Sequence, residues 1–540
     1  MDRTDPPAPN VAPPEAAPTE PPPVEPLPLT DEAPQLAASP AKEPAAPPET
    51  PPPATPPATT PGRRPVNSFR LLLTISAAFV CVFLFLRVFA VEPFGVPTGS
   101  MAPTLIGNHR EAPCPRCGFP VRVGAAALGD RHSLPTAICP NCGQPGINLA
   151  AAPDITGDRL LVDKNVFHLR RPRRWEVAVF RCPDPKEMNK PYVKRVIGLP
   201  GEEITVRGGD VYADGGLLRK SLAEAREARI LLFDMAHAPN AGWGPRWLVH
   251  PPESDPRLPA ADGLQPATAD ETVLHDGELV LDASTPQHQV AVEYRNWDLD
   301  GKREHPIRAW NSYDGPPRSF AGQPTAHEFM LECEVEVTAA APGEVNTLAC
   351  RLFDGADSVT AEVSVGPRRA GSVHLIHDRN GGLSSAGGVS LEPGRSYKLE
   401  FLFVDRRVIF ALDGKEVVAP ADLPPATRRG EVSRPLQLGA RGCKVVVRNL
   451  KIYRDIYYTQ YGFHGTRQPA KLGPDEYYML GDNSENSEDS RKWPSPGVPE
   501  RDFIGKPFLI HQPLRLGRMT VGGQTRVFQT LDWSRLRWLH

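Results

Sequence analysis

No excess of either charge runs through this 540-residue chain: Lys plus Arg (61) nearly balances Asp plus Glu (64), for a formal net charge of −3. A chain without a basic field lacks the electrostatic footprint of a nucleic-acid binder. Metal-hydrolase and nucleotide signatures are missing as well. His327-Glu328 runs on into Phe329-Met330-Leu331 instead of completing His-Glu-x-x-His, and no glycine-rich phosphate loop is present. Cysteine is sparse and odd in number, nine residues, which excludes a disulfide scaffold. Long apolar runs are absent except for one near the N-terminus, so at most a single membrane span is expected.

Proline is abundant, at 64 residues, and 22 of these fall within the first 62 positions. Residues 1–66, built from Pro, Ala, Glu and Thr, cannot bury enough apolar area to offset the entropy of ordering, so they read as a disordered tail. The tail would act as a solvated spacer, with polyproline docking as the alternative. Leu71 to Leu86 then carries no charge, between Arg70 and Arg87. As a helix, Phe69–Ala90 would span about 33 Å, close to the ~30 Å hydrocarbon core, which predicts a transmembrane helix over 67–91. A buried soluble helix is the alternative, and the long acidic Pro-rich leader argues against a cleaved signal peptide. Arg63, Arg64 and Arg70 place the tail in the cytoplasm and the remainder outside.

Beyond the span the pattern is mainly β. Short β-branched runs such as Val177–Phe180, Tyr192–Ile197 and Ile204–Val206 are separated by Gly, Pro and Asp turns. Residues 221–455 have a logic of their own. Glu332–Val337 alternates, and Asp405-Arg406 and Asp413-Gly414 mark hairpin turns between apolar runs. Many such strands at short spacing predict a β-sandwich, patterned like the laminin-G or concanavalin jelly rolls. No diagnostic ligand set is present, so a structural or spacer role is expected, with a glycan or envelope ligand as the alternative.

Chemistry concentrates in four segments. Val96-Pro97-Thr98-Gly99-Ser100-Met101-Ala102-Pro103 offers a serine on a stiff loop, which alone is equally a turn residue. His109 and His132 are near in sequence, but neither sits in a recognisable triad context, leaving lysine as the other base. Lys194, in Tyr192-Val193-Lys194-Arg195-Val196-Ile197, alternates onto the side of Tyr192 and Val196, where burial would lower its amine pKa toward neutrality. A basic pair on a solvated strand face is the competing reading. Gly157-Asp158-Arg159-Leu160-Leu161-Val162 and Gly481-Asp482-Asn483-Ser484-Glu485-Asn486-Ser487-Glu488-Asp489-Ser490-Arg491 complete the set.

In this order after one span, the four segments resemble type I signal peptidases, serine–lysine proteases that remove signal peptides. The resemblance covers 90–110, 154–220 and 456–512. It implies that Ser100 is the nucleophile and Lys194 the general base, and that the Ser100 N–H and Thr98 hydroxyl form the oxyanion hole. It further implies that Ser487 orients the lysine and that Asp482, Asp489, Arg195 and Arg491 brace the site. Ser484, Glu485 and Lys492 depart from the Arg, Asp and Tyr common there. Expected partners are signal-peptide-bearing preproteins, cut after small residues of the Ala-x-Ala type, and membrane lipid. No cofactor is expected for catalysis.

Cys114-Pro115-Arg116-Cys117 and Cys139-Pro140-Asn141-Cys142, each followed by Gly, resemble zinc-ribbon knuckles, with two disulfides or a redox pair as alternatives. The expected organisation is a tail at 1–66, a span at 67–91, and a catalytic domain from 92–110, 154–220 and 456–540. A zinc-ribbon-like insert at 111–153 and a sandwich insert at 221–455 interrupt that domain. The rival reading is a catalytically silent peptidase scaffold that presents the sandwich to a glycan or envelope polymer. Leu531–Leu539 mixes Trp with Arg and reads as a packed or solvated tail, with an interfacial segment as the alternative.

Overall fold

The computed structural model describes residues 68–128, 135–188, 190–237, 246–250, 267–268, 274–275, 277–284, 289–298, 302–342, 346–367, 371–521 and 524–539. The Pro-rich tail and His132 lie outside the described residues. The chain divides into two compact units, Met1–Leu71 and Leu72–His540. Ser68–Phe89 is a single 22-residue helix, and its described side chains are exposed, Phe69, Leu72 and Phe79 among them. Side chains at 83–89 fall outside the described set. Among the described residues no helix is long and apolar enough to cross a membrane, so the span expected at 67–91 is not carried by the structure.

The rest is mainly β, as the sequence pattern predicts. An antiparallel sheet orders the strands Val91–Gly95, Arg159–Asp163, Phe503–Ile510, Val177–Arg181, Pro191–Gly198, Glu476–Leu480 and Gly497–Pro499. Strands far apart in sequence are therefore neighbours. Val91–Gly95 pairs with Arg159–Asp163, and Glu476–Leu480 pairs with Pro191–Gly198. Their alternation buries Leu160, Val162, Val177, Val179 and Ile510 on one side and Ala178, Phe180, Val196 and Met479 on the other. Leu539 joins the first of these clusters and the Trp538 ring stacks on Phe508 at 5.8 Å, while Trp533, Leu536 and much of Trp538 stay exposed, so the C-terminal segment is packed at Leu539 and solvated elsewhere.

Two larger sheets, built almost wholly from residues between 229 and 455, share one apolar core. Phe329–Ala340, Ser396–Val404, Arg407–Leu412 and Cys443–Asp455 belong to the first. Asn346–Phe353, Ser358–Val365, Ser372–His377 and Leu436–Arg441 belong to the second. Between them lie Phe329, Leu331, Leu348, Val363, Phe401, Phe410 and Leu438, all essentially inaccessible. The hairpin turns fall where the sequence places them: Asp405-Arg406 and Asp413-Gly414 both take positive φ, as the tight turn between twisted antiparallel strands requires.

An ion-pair clip holds together the two points where the chain passes between the smaller and larger sheets. Lys220, 3% exposed, donates from Nζ to Asp405 at 3.0 and 3.1 Å and to Asp455 at 2.7 Å. Removing one side of such a buried cluster leaves uncompensated charge in the interior. Lys220→Met is accordingly expected to lower stability by about 3–5 kcal/mol, read from the urea midpoint at unchanged m-value.

Candidate active site

The loop bearing Ser100 is pinned at both ends by Asp158. Its backbone carbonyl accepts from Val96 N–H at 2.9 Å, and its carboxylate accepts from Ile106 N–H at 2.7 Å. Arg535 pairs with that buried carboxylate at 2.7 Å. Met101 and Leu105 plug the loop into the apolar cluster around Leu160 and Val162. These anchors leave Ser100 half-buried at the apex, with Thr98 exposed two residues before it.

Lys194 approaches from the strand Pro191–Gly198, where it pairs with Ala178 and is 3% exposed. Its Nζ donates to Ser100 Oγ at 2.5 Å. The solvated-face reading of Lys194 is thereby excluded. Burial lowers its amine from 10.5 to about 8, opposed by the charge of Asp489, while Arg491 lowers it further and Asp482 raises it. The Tyr192 ring lies 5.5 Å from the ammonium position.

The nearby carboxylates are already engaged. Arg195 forks onto Asp482 with bonds of 2.9 and 2.6 Å, and its third nitrogen donates to the Trp175 carbonyl at 2.7 Å. Arg491 forks onto Asp489 at 2.9 and 2.7 Å, and these arginine bonds hold the Asp489 carboxyl below its usual range despite its burial. Ser484, where the resemblance expects arginine, accepts from Arg491 Nη1 at 2.6 Å, so the departure repacks the brace without opening it. All four braces are 0–1% exposed.

Ser487 departs from expectation. It is fully buried, and its Oγ faces the Asp489 carboxyl, which it helps to hold down, instead of making the bond that would orient Lys194. The hydroxyl also presses on Gly481: a Cβ there would lie 2.2 Å from Ser487 Oγ and 2.5 Å from the Ser100 carbonyl oxygen, so the position admits only glycine. His109, 1% exposed, faces the Gly107 carbonyl with Nδ1 at 2.9 Å, and burial lowers its pKa to about 4.

Sequence reasoning missed the ring of amides around Ser100. Asn483 donates its backbone N–H to the Ser100 carbonyl at 3.0 Å and its side-chain amide to the Gly99 carbonyl at 3.0 Å. The same amide reaches Asp314 at 2.7 Å. Asn483 lies in the segment Gly481–Arg491, whereas nothing in the sequence around Asp314 signals a partner 169 residues away.

Cys114, Cys117, Cys139 and Cys142 converge, all buried, with ligand atoms within 4.8 Å of one another. The Sγ–Sγ separations of 3.5 Å (Cys114 to Cys142) and 3.6 Å (Cys117 to Cys139) are far beyond the ~2.05 Å of a disulfide. The disulfide alternative is therefore not what the structure holds. Four thiolates at zinc–sulfur distances of about 2.3 Å would stand roughly 3.8 Å apart in a tetrahedron, so the donor set fits a metal ion.

The sequence model of the family described as "Signal peptidase, peptidase S26" matches residues 145–281 and 427–511, which include Lys194, Arg195, Asp482, Ser487, Asp489 and Arg491. A probable signal peptidase I-2 from Synechocystis sp. is 39% identical over 74 residues, 13% of this chain and 34% of the relative. Signal peptidase I from Pseudomonas fluorescens is 33% identical over 123 residues, 23% of this chain and 30% of the relative. This chain resembles the type I signal peptidases. It spans between 30% and 40% of the length of these signal peptidase relatives, 40% of the one from Rickettsia akari at 30% identity. Among solved structures, a carbohydrate-binding module from Bacillus subtilis (16% identity, TM-score 0.17, 23% of this chain and 73% of that one) and a winged bean acidic lectin (9%, 0.24, 34% and 88%) are similar at scores that carry no argument. Within the signal-peptidase-like site, the Lys194 amine is expected to titrate near 8, well below an exposed lysine, in pH-dependent modification or nitrogen-15 NMR; a value near 10.5 would contradict the burial seen here.

Proposed function

We propose that this chain is a membrane-anchored endopeptidase that removes signal peptides from exported preproteins, with Ser100 as nucleophile and Lys194 as general base. The observation that carries the reading is the 2.5 Å bond between a buried lysine and a serine on a fixed loop. Both alternatives for these residues, a turn serine and a surface basic pair, leave that contact without a reason.

In this mechanism Lys194, neutral, accepts the Ser100 hydroxyl proton as Oγ attacks the scissile carbonyl. The Ser100 N–H and the Thr98 hydroxyl donate to the developing oxyanion, a term worth about 10²–10³ in rate per donor. Lys194 then returns the proton to the leaving amine, and water, activated by the same amine, releases the acyl group. Arg195 and Arg491 act indirectly, by occupying Asp482 and Asp489.

The anchor belongs to the same proposal. The uncharged run Leu71–Leu86 supports the anchor, with Phe69, Leu72, Ile75 and Phe79 exposed on the helix Ser68–Phe89, although no described helix meets the length and apolarity of a full span. Ser100 then lies about ten residues from the helix end, at most ~35 Å of extended chain, close to a substrate whose apolar segment is still in lipid. A small peptidase domain interrupted by a zinc knuckle at 111–153 and a sandwich at 221–455 completes the reading, with Zn²⁺ held by the four cysteines as a structural clip.

Detergent-solubilised protein is expected to cleave a signal-peptide-bearing precursor after a small residue. Ser100→Ala and Lys194→Ala each abolish cleavage, while Lys164→Ala, which breaks only an exposed pair with Glu92, leaves it intact. Inactivity of folded wild-type protein across several precursors would transfer the weight to a silent scaffold. Because Lys194 works neutral, kcat/KM is expected to rise tenfold per pH unit up to about pH 8 and level off above it. Elemental analysis is expected to give about one zinc per chain, lost together with Cys139→Ala.

A further inference from the structure

The larger sheets do more than hang beside the site. The turn Ser312–Asp314, opened by Asn311, which accepts the Tyr313 N–H on its own side-chain oxygen, leaves the sandwich and lies along the Ser100 loop. Asn311 donates to the Ala102 carbonyl at 3.0 Å, and Tyr313 donates its hydroxyl to the Asn108 carbonyl at 3.0 Å. The Tyr313 ring, 5% exposed, fills the space left by two glycines: a Cβ on Gly99 would lie 2.2 Å from the ring, and one on Gly124 2.4 Å. Ala102, Ile106 and Tyr313 form one apolar cluster.

Asp314 closes the arrangement. One of its oxygens accepts from the Asn483 side-chain amide at 2.7 Å and from Asn486 at 3.1 Å, and the other is buried without a partner. Burial raises its carboxyl to about 6 against the pull of these two amides, with Glu485 raising it further. The two hydrogens of the Asn483 amide are thus shared between Asp314 and the Gly99 carbonyl. That carbonyl belongs to the same planar peptide unit as the Ser100 N–H. Fixing its oxygen fixes the direction of the N–H on the opposite side, and a bond accepted at C=O strengthens the N–H as a donor.

We propose that Asp314 is a positioning residue for the oxyanion hole, contributed by the sandwich: through the Asn483 amide it sets the plane of the Gly99–Ser100 peptide. This rests on the serine–lysine reading above. It makes the sandwich a working part of the site instead of the spacer that its sequence suggests.

The test compares full-length wild type, Ser100→Ala, Asp314→Ala and Asp314→Asn on one fluorogenic precursor peptide, with melting curves for each. Asparagine keeps an acceptor oxygen at the right distance and alanine does not. The expected result is a fall in kcat of about 10- to 100-fold for Asp314→Ala with KM changed less than about twofold, and recovery to within about threefold of wild type for Asp314→Asn, since misaiming an oxyanion donor loses part of its 10²–10³ contribution. If Asp314→Ala does not fold, Asp314→Ser, too short to reach Asn483, takes its place with the same expectation. Wild-type kcat in Asp314→Ala, an equal loss in Asp314→Asn, or a loss confined to KM overturns the positioning role while the peptidase reading stands. Wild type no more active than Ser100→Ala overturns that reading and this inference together.

Discussion

An amine can be kept un-ionised beside a serine only if no carboxylate within reach is free to hold its proton. Lys194 is almost wholly buried and two aspartates lie close enough to shift it, yet each of these is taken by an arginine fork before it can serve the lysine. Desolvation then dominates and the amine falls toward neutrality. Much of the local architecture serves this partition of charge. The braces arise from two strands far apart in sequence, Pro191–Gly198 and Glu476–Leu480, and from the turn that follows the second, so the sheet pairing itself sets which charges meet.

The same pairing explains what could be read in advance. Ser100, Lys194 and the two Asp–Arg pairs sit in short segments of recognisable residue pattern, even though Ser100 and Lys194 meet across 94 residues and Arg195 and Asp482 across 287, and the two Cys-x-x-Cys knuckles advertise themselves by spacing. The turns Asp405-Arg406 and Asp413-Gly414 were equally legible, because positive φ selects for particular residues. Ser487 was not: its place in the motif suggested a bond to the lysine, whereas its hydroxyl packs against Gly481 and faces Asp489. Whether an oxygen meets its acceptor depends on tenths of an ångström that no spacing encodes.

Contacts between distant segments were the least legible. Asn311, Tyr313 and Asp314 meet partners 169 to 209 residues away, and their residue types are those of any polar turn. A sandwich recognised only by alternation looks self-contained, because alternation reports on its own core and says nothing of an outer turn. The acceptor carbonyls of Ala102 and Asn108 gave no warning either, since a backbone oxygen is the same in every residue.

The clip at Lys220 bears on how such a chain can assemble. Between Lys220 and Asp455 the chain wanders for 235 residues and returns to within 2.7 Å of its departure. Closing a flexible loop of that length would cost about 5 kcal/mol in chain entropy, and the smaller sheet would bear it on pairing its first strands with its last. A sandwich that folds on its own core presents its two ends already side by side, and the excursion then weighs on the smaller sheet no more than a short hairpin would. The position of one buried lysine thus decides how wide a gap the smaller sheet has to bridge.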